Sequence, residues 1–417
     1  MLAGVCTLVI AGGLSACGGS DSSGDAAGGT TTIDVWLMRD SVSAQFQKEF
    51  VHGFQSAHPD IEVKVQIQEW DGIGEKVTAA LASNDAPDVI ETGNTQVAQF
   101  AQSGGLLDLS DKVGELGGAH WLPGLAEPGA YEGKQYGIPY YAANRVVVYR
   151  TDLFDKAGVD PAAIKTRDQW IAATEKLNKG GTQGIYLPGQ TWYALAGFVW
   201  DEGGDLAKPS GDSWKGTLDT PEALRGMEFY KKLQALGKGP RDSDEAQPPQ
   251  AEVMAKGQVA QIISTPGGAN VVTESNPELK GRLGFFPIPG KTADRPGAVF
   301  TGGSDLVVPA ASGKQAAAFT FIKELTGDAW QRKLAVAMSY VPNKTTLADA
   351  VASDPGTAAM AAGAAVGRAT PNTPGWAAVE AKNPIKDYMT AVLTGADART
   401  EAAKASESIT EAMESGS

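Results

Sequence analysis

Between residues 33 and 90 the spacing of apolar residues alternates between that of strands and that of helices, and this alternation constrains the fold more than any other feature of the sequence. Apolar residues occupy every second position over 33–37, which is typical of a β-strand. Every fourth position from 42 to 54 is Val or Phe, which predicts one apolar helix stripe. A second strand pattern follows at 61–67, a helical segment at 74–83, and a third short strand at 87–90. Strands and helices in this alternation predict an α/β sheet with helices on its faces.

The same alternation continues along the chain, and its 417 residues favour two folded lobes over one. Strands are predicted over 145–149, 259–263 and 305–308, and helices over 167–178, 221–236 and 314–326. The segment 355–368 is rich in Ala and Gly, but its uncharged run of about a dozen residues is too short to cross a bilayer. The predicted fold class is therefore α/β in both lobes.

An uncharged apolar segment opens the chain and ends at a cysteine. Residues 1–16 read as the hydrophobic part of a secretory signal, too short and too rich in Gly for a membrane span. The sequence Leu14-Ser15-Ala16-Cys17 resembles the bacterial lipoprotein box, so we expect cleavage before Cys17 and lipid attachment to its thiol. The basic residues of a signal are missing, since the first Lys or Arg is Arg39, and we expect the true start to lie upstream. A buried N-terminal helix is the alternative.

A tether and an absence of disulfides are predicted for the mature protein. Residues 17–32 contain Gly, Ser, Thr, Ala and Asp after the cysteine and no large apolar group, which predicts a flexible, lipid-anchored tether. The chain has two Cys, and Cys6 would leave with the signal, so no intramolecular disulfide remains. We therefore expect the protein at the extracytoplasmic face of the cell membrane.

Charge and histidine content argue against several function classes. The chain carries 49 Asp and Glu against 35 Lys and Arg, a formal net charge of −14, which disfavours nucleic acid or an anionic membrane surface as the main partner. It has only three His, so His-based acid/base, triad or zinc chemistry has little to work with. We expect no enzyme activity, no cofactor and no metal.

Short segments in a fixed order carry a family resemblance. They are APDVIE at 86–91, FAQSGGLLDL at 100–109, GKQYGIP at 133–139, VYRTDLF at 148–154, AKGQVA at 255–260, LGFFPIP at 283–289 and AAFTFIK at 317–323. Together they cover most of the chain and resemble the family 1 extracellular solute-binding proteins, the group that includes maltose-binding protein. The resemblance implies the substrate-binding component of an ABC-type importer, a monomer that captures a sugar or oligosaccharide and delivers it to membrane permease subunits.

The same resemblance implies a type II periplasmic-binding-protein-like fold, with the ligand in a cleft between two lobes joined by a hinge of three chain crossings. We expect the crossings near 140–143, 297–303 and 341–344. The first lobe is then 33–141 plus 301–342, and the second is 142–300 plus 343–417. Closure of such lobes around a ligand is a hinge motion.

A sugar needs planar polar partners for its hydroxyls and an aromatic face for its C–H patches. Trp36 matches a family Trp near the sugar, with an ordinary core Trp as the alternative. Arg39 and Asp40 follow in the loop after the first strand; Asp40 matches a sugar-binding Asp of maltose-binding protein or caps the next helix. Asn94 and Gln96 lie in the loop after the third strand, where a simple turn is the alternative.

The remaining candidates lie at the crossings and in the second lobe. Asn144 and Arg145 fall beside the first crossing, with a surface ion pair as the alternative for Arg145. Trp192 and Trp200 flank a predicted helix, and Trp192 and Trp376 resemble stacking aromatics of the family, with a core role as the alternative.

Two glycines are the last candidate site residues, and the chain differs from maltose-binding protein at two places in the expected site. Gly302 and Gly303 would let the backbone approach a ligand at the second crossing, or serve as a hinge turn. Ala143 stands where maltose-binding protein has an acid, and the segment 265–268 stands where it has a cleft Trp, so maltose itself is in doubt.

The sequence is also compatible with other functions. A secreted carbohydrate-active enzyme also combines acids and aromatics in a cleft, although no hydrolase signature is present. A binding protein could instead present its ligand to a surface sensor, and the ligand could be a polyol, peptide or polyamine. The segments 36–38 and 93–96 look like those of actinobacterial proteins that bind chitobiose or other oligosaccharides, which is the narrower hypothesis.

Overall fold

A computed structural model describes residues 29–39, 41–70, 72–83 and 85–415 of the protein. Its strands are β1 Thr31–Met38, β2 Ile61–Gln68, β3 Val89–Gly93, β4 Ala130–Tyr131, β5 Lys134–Gln135, β6 Ile138–Ala143, β7 Val146–Arg150, β8 Ala207–Ser210, β9 Ser213–Gly216, β10 Gln261–Ser264, β11 Leu283–Phe286, β12 Gly302–Val307 and β13 Val341–Pro342. Its α-helices are α1 Ala44–Ala57, α2 Ile73–Leu81, α3 Val97–Gln102, α4 Pro123–Ala126, α5 Thr151–Ala157, α6 Arg167–Leu177, α7 Trp192–Asp201, α8 Pro221–Gln234, α9 Gln250–Lys256, α10 Gly267–Ser275, α11 Gln315–Leu325, α12 Asp328–Met338, α13 Pro355–Ala364, α14 Trp376–Lys382, α15 Pro384–Thr394 and α16 Ala398–Ser415.

The larger sheet has six strands in the order β13-β6-β12-β3-β1-β2. Strands β1, β2 and β3 are parallel, whereas β12 runs antiparallel to its neighbours β3 and β6. The inward residues Ile33 and Val35 of β1 pack against the α1 stripe of Phe46, Phe50 and Phe54, as the hydrophobic periods predict.

The smaller sheet has three antiparallel strands in the order β10-β7-β11. Its core is built from helices that follow in sequence, with Trp170 from α6, Phe198 from α7 and Tyr230 from α8. The C-terminal helices close the same core through Met389 of α15 and Ile409 of α16. We call the six-stranded sheet and its helices the larger-sheet side, and the three-stranded sheet and its helices the smaller-sheet side.

The predicted elements agree with the structure, and the α/β fold class is confirmed. Helix α6 covers Arg167–Leu177 against a prediction of 167–178, and α11 covers Gln315–Leu325 against 314–326. Strand β12 begins at Gly302 rather than at 305, because Gly302 and Gly303 pair with Ala143 and Ala142 of β6. The Ala/Gly-rich segment forms the short helix α13. Within the described part of the chain, no helix has the length and hydropathy that a membrane crossing requires.

The chain passes between the two sheets at three places. Strand β6 of the larger sheet leads directly to β7 of the smaller one through residues 144–145. Val299 belongs to the core of the smaller-sheet side, and β12 of the larger sheet begins three residues later. After β13 the chain returns to α13, which packs on β7 and β11. These places lie at or beside the expected hinge crossings, and the two-lobe boundaries stay a prediction.

Candidate functional site

One edge of the larger sheet gathers the loops that follow three strands. Because β1, β2 and β3 are parallel, their carboxyl ends share this edge, where α/β sheets bind ligands. Arg39 follows β1 and pairs with Glu69, which follows β2, at 2.5 Å. The indole N–H of Trp70 donates to the Arg39 carbonyl oxygen at 3.2 Å, and the Trp70 side chain is 43% exposed. A Cβ on Gly93 at the end of β3 would lie 3.8 Å from the Trp70 ring, so this exposed indole lies at the shared edge.

A buried carboxyl group holds the start of the β1–α1 loop. Glu91 in β3 accepts hydrogen bonds from the Met38 N–H at 2.8 Å and the Ser41 hydroxyl at 2.6 Å. The Tyr141 hydroxyl of β6 also donates to Glu91 at 3.3 Å. Burial raises the pKa of Glu91 above its usual value, and these hydrogen bonds act in the opposite direction. The loop is thereby attached to the strand that leads into the first crossing.

The structure corrects the expectation for the beginning of α1. The helix begins at Ala44, and its N-cap is Ser43, whose hydroxyl accepts from the Phe46 N–H. Asp40 therefore cannot be the N-cap, because a cap residue immediately precedes the first helical residue. Asp40 itself lies outside the described residues, as does the predicted lipid-bearing Cys17.

Trp36 lies beneath helix α2 and is half-buried. Its ring packs against the core around Ile73 and Val77, and the ammonium of Lys76 lies 5.1 Å from the ring centroid. The exposed aromatic at this edge is therefore Trp70, which sequence reasoning missed; its signal was an indole directly after the second predicted strand. The sugar-binding role of Trp36 stays a prediction.

The turn at residues 94–96 makes mostly internal contacts. The Asn94 amide is buried and donates to the carbonyl oxygens of Gly124 at 3.4 Å and Thr301 at 3.1 Å, which fixes the turn against β12. Gln96 is half-buried and accepts from the Thr92 hydroxyl at 3.4 Å. Between them, the Thr95 hydroxyl reaches the smaller-sheet side, where it donates to Glu380 at 3.3 Å.

An aromatic cluster with an ion pair lies beside the first two crossings. The rings of Tyr193 and Phe300 are stacked, with centroids 4.4 Å apart and planes 18° apart, and the Trp192 and Tyr193 centroids are 3.9 Å apart. The guanidinium carbon of Arg145 lies 4.8 Å from the Tyr193 centroid, and Arg145 is ion-paired with Glu245. Burial keeps the pKa of the Tyr193 hydroxyl well above its usual value, so this hydroxyl stays protonated. Flat rings beside charged donors and acceptors match the two needs of a sugar ring.

Two contacts join the larger-sheet side to the smaller-sheet side near this cluster. Glu380 of α14 accepts from both the Thr95 hydroxyl and the Trp376 indole N–H, the latter at 3.0 Å. Burial raises the pKa of Glu380, and the two hydrogen bonds act against that rise. The Asn372 amide donates to the carbonyl oxygens of Glu127 and Ala130, each at 2.6 Å. The two sides are therefore in contact in this structure.

Several predicted site residues lie within the core or the backbone pairing. Trp192, Trp200 and Trp376 are 5%, 6% and 1% exposed and belong to the core of the smaller-sheet side. Trp192 and Trp200 lie inside α7, at its first and last turns, rather than outside its ends. Asn144 is buried, and its amide donates to the Arg145 carbonyl oxygen at 3.4 Å.

The predicted close approach at Gly303 is made to another strand. A Cβ there would lie 2.1 Å from the Tyr141 carbonyl oxygen, and the φ of Gly303 is +150°. Its neighbour Gly302 pairs with Ala143 in the same ladder. Both glycines are therefore part of a strand ladder, and their role at the ligand or in a hinge stays a prediction.

The structure thus brings Arg145 and Trp192 together around Tyr193 and connects the turn at 94–96 with Trp376 through Glu380. Trp36 packs against the core cluster that includes Val97, the residue after this turn. Besides Trp70, sequence reasoning missed Tyr193, Phe300, Glu245 and Glu380. Among the described residues, no group of three or more His, Cys, Asp or Glu side chains could hold a metal ion. The arrangement can stack and hydrogen-bond a polar ligand with ring structure.

Comparisons with known proteins all find similarity to solute-binding proteins. A family model described as bacterial extracellular solute-binding protein matches residues 39–332. The chain is 41% identical over 389 residues to the diacetylchitobiose-binding protein DasA of Streptomyces coelicolor, covering 92% of this chain and 91% of the relative. The sugar-binding protein MalE of Xanthomonas citri superposes with a TM-score of 0.83 at 22% identity, covering 92% of this chain and 98% of that one. The GacH receptor of Streptomyces glaucescens superposes with a TM-score of 0.75 at 24% identity, covering 93% and 100%.

Proposed function

Because this chain belongs to the family of bacterial extracellular solute-binding proteins, we propose that it captures a short oligosaccharide of N-acetylglucosamine, such as diacetylchitobiose, for an ABC-type importer. The sugar-binding role fits the relatives: the 41% identical protein is named for diacetylchitobiose, and another relative for arabinooligosaccharides. The cargo proposed here is the narrower hypothesis that the segments 36–38 and 93–96 raised.

The aromatic cluster carries the proposal. Tyr193 and Phe300 form a stacked pair, and Arg145 with Glu245 supplies donors and acceptors at its side. A pyranose ring can lie against such an aromatic face while its hydroxyls bond the charged groups. The acetamido group adds a methyl for aromatic contact and an N–H for a carboxylate. The edge at Arg39 and Trp70 would face the same ligand from the larger-sheet side.

The proposed capture mechanism is hinge closure. The two proposed lobes, 33–141 plus 301–342 and 142–300 plus 343–417, would rotate about the three crossings. The Thr95 to Glu380 and Asn372 to Glu127 contacts would form as they approach. A ligand that touches both lobes favours this closed population because it binds the open one less well.

In this proposal the protein binds the sugar and catalyses no reaction on it. The sugar would leave unchanged, with no cofactor, and a monomer would hand it to permease subunits. The protein would be held at the extracytoplasmic face of the cell membrane by a lipid on Cys17. A Cys17→Ser precursor should then stay out of the membrane fraction when membranes are pelleted. Normal partitioning of that variant would contradict the anchor and leave the sugar-binding proposal standing.

A thermal-shift screen with product analysis tests the cargo. Diacetylchitobiose, N-acetylglucosamine, maltose, mannitol and an arabinooligosaccharide are compared, and the sugar is recovered after each positive result. A ligand present at 100 times its Kd adds about 2.7 kcal/mol to the free energy of unfolding. We expect diacetylchitobiose to raise the Tm and to be recovered intact. Cleaved sugar would indicate a carbohydrate-active enzyme, and a shift with mannitol alone would indicate a polyol carrier.

A further inference from the structure

A cavity of about 270 Å³ lies next to the Asn372 contact between the two sides of the molecule. Its walls are formed by Trp200, Asp205, Trp214, Arg368 and Asn372 from the smaller-sheet side and Glu127 from the larger-sheet side. It is separate from the Tyr193 and Phe300 cluster, which lines none of it. The cavity therefore borders both sides of the molecule, as a ligand held by closure requires.

The side chains around this cavity are of the types that suit a carbohydrate ligand. Trp200 lies at the end of α7, and the guanidinium carbon of Arg368 lies 5.5 Å from its ring centroid. Arg368 is held by Asp205 at 2.5 Å. Trp214 of β9 is half-buried, so part of its indole is available to a ligand. Aromatic area beside a fixed guanidinium and carboxylate offers both stacking and hydrogen bonds to hydroxyls.

Helix α7 connects this cavity with the aromatic cluster, because it carries a residue of each. Tyr193 and Trp200 are seven residues apart, so they lie on the same face of the helix, about 10 Å apart along its axis. Phe300, which stacks on Tyr193, lies beside Arg368 in a bridge between the two backbones. The Arg368 N–H donates to the Val299 carbonyl oxygen at 2.9 Å. The helix and this backbone pairing thus fix the cavity relative to the cluster.

We propose that this cavity is a second sugar-binding subsite, which receives the units of an oligosaccharide that extend beyond the disaccharide held at the Tyr193 cluster. A sugar ring stacks on Trp214, and its hydroxyls bond to Arg368, Asp205 or the Asn372 amide. The inference rests on the proposed function, since it assigns a chain-length preference to the same cargo. It predicts that the protein binds longer oligomers more tightly than the dimer.

Titration calorimetry with two ligands tests the subsite. Diacetylchitobiose and the tetramer of N-acetylglucosamine are titrated into wild type, Trp214→Ala and Trp214→Phe. In Trp214→Ala we expect the Kd of the tetramer to rise roughly 2- to 12-fold and that of the dimer to stay unchanged, from the lost aromatic stacking. Trp214→Phe keeps an aromatic face and should restore most of the tetramer affinity.

The results of these titrations distinguish failure of the subsite from failure of the proposed function. Equal affinities for dimer and tetramer in wild type, with no selective effect of Trp214→Ala, would overturn the subsite and leave the proposed function intact. If neither ligand binds wild type, the proposed function fails and the subsite fails with it. Should Trp214→Ala not fold, Arg368→Ala replaces it, because this side chain is half exposed and its removal should weaken the tetramer alone.

Discussion

Among the described residues, burial raises the pKa of three carboxyl groups, those of Glu91, Asp305 and Glu380. Glu91 and Glu380 each accept hydrogen bonds that connect distant parts of the chain. Asp305 of β12 differs, because neither of its carboxyl oxygens has a hydrogen-bond partner among the described residues. Burial holds the pKa of Asp305 well above its usual value of 3.8. An uncompensated buried acid of this kind lowers the free energy of unfolding wherever it must ionise.

The pH dependence of stability should therefore change in Asp305→Asn. Because the folded-state pKa is raised, the stability that the neutral acid contributes is complete below pH 3.8 and is lost as the pH rises through the folded value. The Asn variant lacks this loss, so its free energy of unfolding should exceed that of wild type at pH 7 by about 1 kcal/mol or more. Denaturant unfolding between pH 4 and pH 8 measures the difference. Asp111→Asn is the control, because the Asp111 side chain is 71% exposed, and its free energy of unfolding should stay close to that of wild type across this pH range. If wild type were more stable than Asp305→Asn at pH 7, the account would be contradicted.

Loss of the Tyr193 ring should weaken sugar binding. Tyr193→Ala removes the stacked partner of Phe300 and the ring beneath Arg145, so the Kd for diacetylchitobiose should rise roughly 5- to 30-fold, about 1–2 kcal/mol. Tyr193→Phe should stay near wild type because it keeps the ring. Tyr149→Ala removes a ring that packs at a 44° tilt against Phe154 on the same side of the molecule, and it should lower stability without changing Kd. Equal affinity for wild type and Tyr193→Ala would remove the cluster from the site.

The surroundings of individual candidate residues were harder to predict from the sequence than the elements were. Sequence reasoning selected Trp192, yet the ring that stacks on Phe300 and lies against Arg145 is its neighbour Tyr193, since the helical turn directs Trp192 into the core. It also selected Trp36, whose position beneath α2 depends on a helix that packs only after the chain has folded. Which of two adjacent aromatics faces a ligand is decided by segments distant in sequence.

At the scale of elements, the strength of the hydrophobic pattern decides which helices and strands can be predicted from the sequence. Strand β1 and helix α1 carry large apolar residues at regular spacing, and both were predicted. Helix α16, Ala398–Ser415, was not, because most of the side chains it buries are small: Ala402, Ala405, Ser406 and Ala412, beside Ile409 and Met413. Alanine gives little contrast between an inner and an outer face, so the period is weak.

Strand β12 depends on a glycine that tolerates no side chain. A Cβ at Gly303 would lie 2.1 Å from the Tyr141 carbonyl oxygen, at a backbone φ of +150°. Gly303→Ala should lower the free energy of unfolding by roughly 2 kcal/mol or more. Gly313→Ala is the matched control, since nothing lies within 4 Å of its Cβ position, and it should be nearly neutral. Similar denaturation midpoints for the two variants would show that β12 adjusts easily.

At the scale of the whole molecule, contacts between remote segments hold the two sides together. Thr95 and Glu380 are 285 residues apart, and Asn372 reaches back 242 residues to Ala130. No local pattern signals such pairs, so the sequence indicated a cleft only through family resemblance. The existence of two sheets could be predicted, whereas the residues that meet between them could not.

Removal of these contacts should open the ligand-free protein. In a Glu380→Ala, Asn372→Ala double variant we expect a larger radius of gyration by small-angle X-ray scattering, because the side-chain hydrogen bonds of Glu380 and Asn372 across the boundary are lost. Diacetylchitobiose should bring the value back toward that of wild type. Lys386→Ala breaks an ion pair of 2.8 Å with Asp244 within the smaller-sheet side and should leave the radius unchanged. An unchanged radius in the double variant would show that other contacts set the closed form.

A crystal structure of the protein with diacetylchitobiose tests the central claim most directly. The account predicts the intact disaccharide between the two sides of the molecule, stacked on Tyr193 or Phe300, with hydroxyls bonded to Arg145 or Glu245. A sugar bound elsewhere, for example in the surface groove beside His58 and Phe319, would contradict the account, and so would a cleaved sugar in the predicted place.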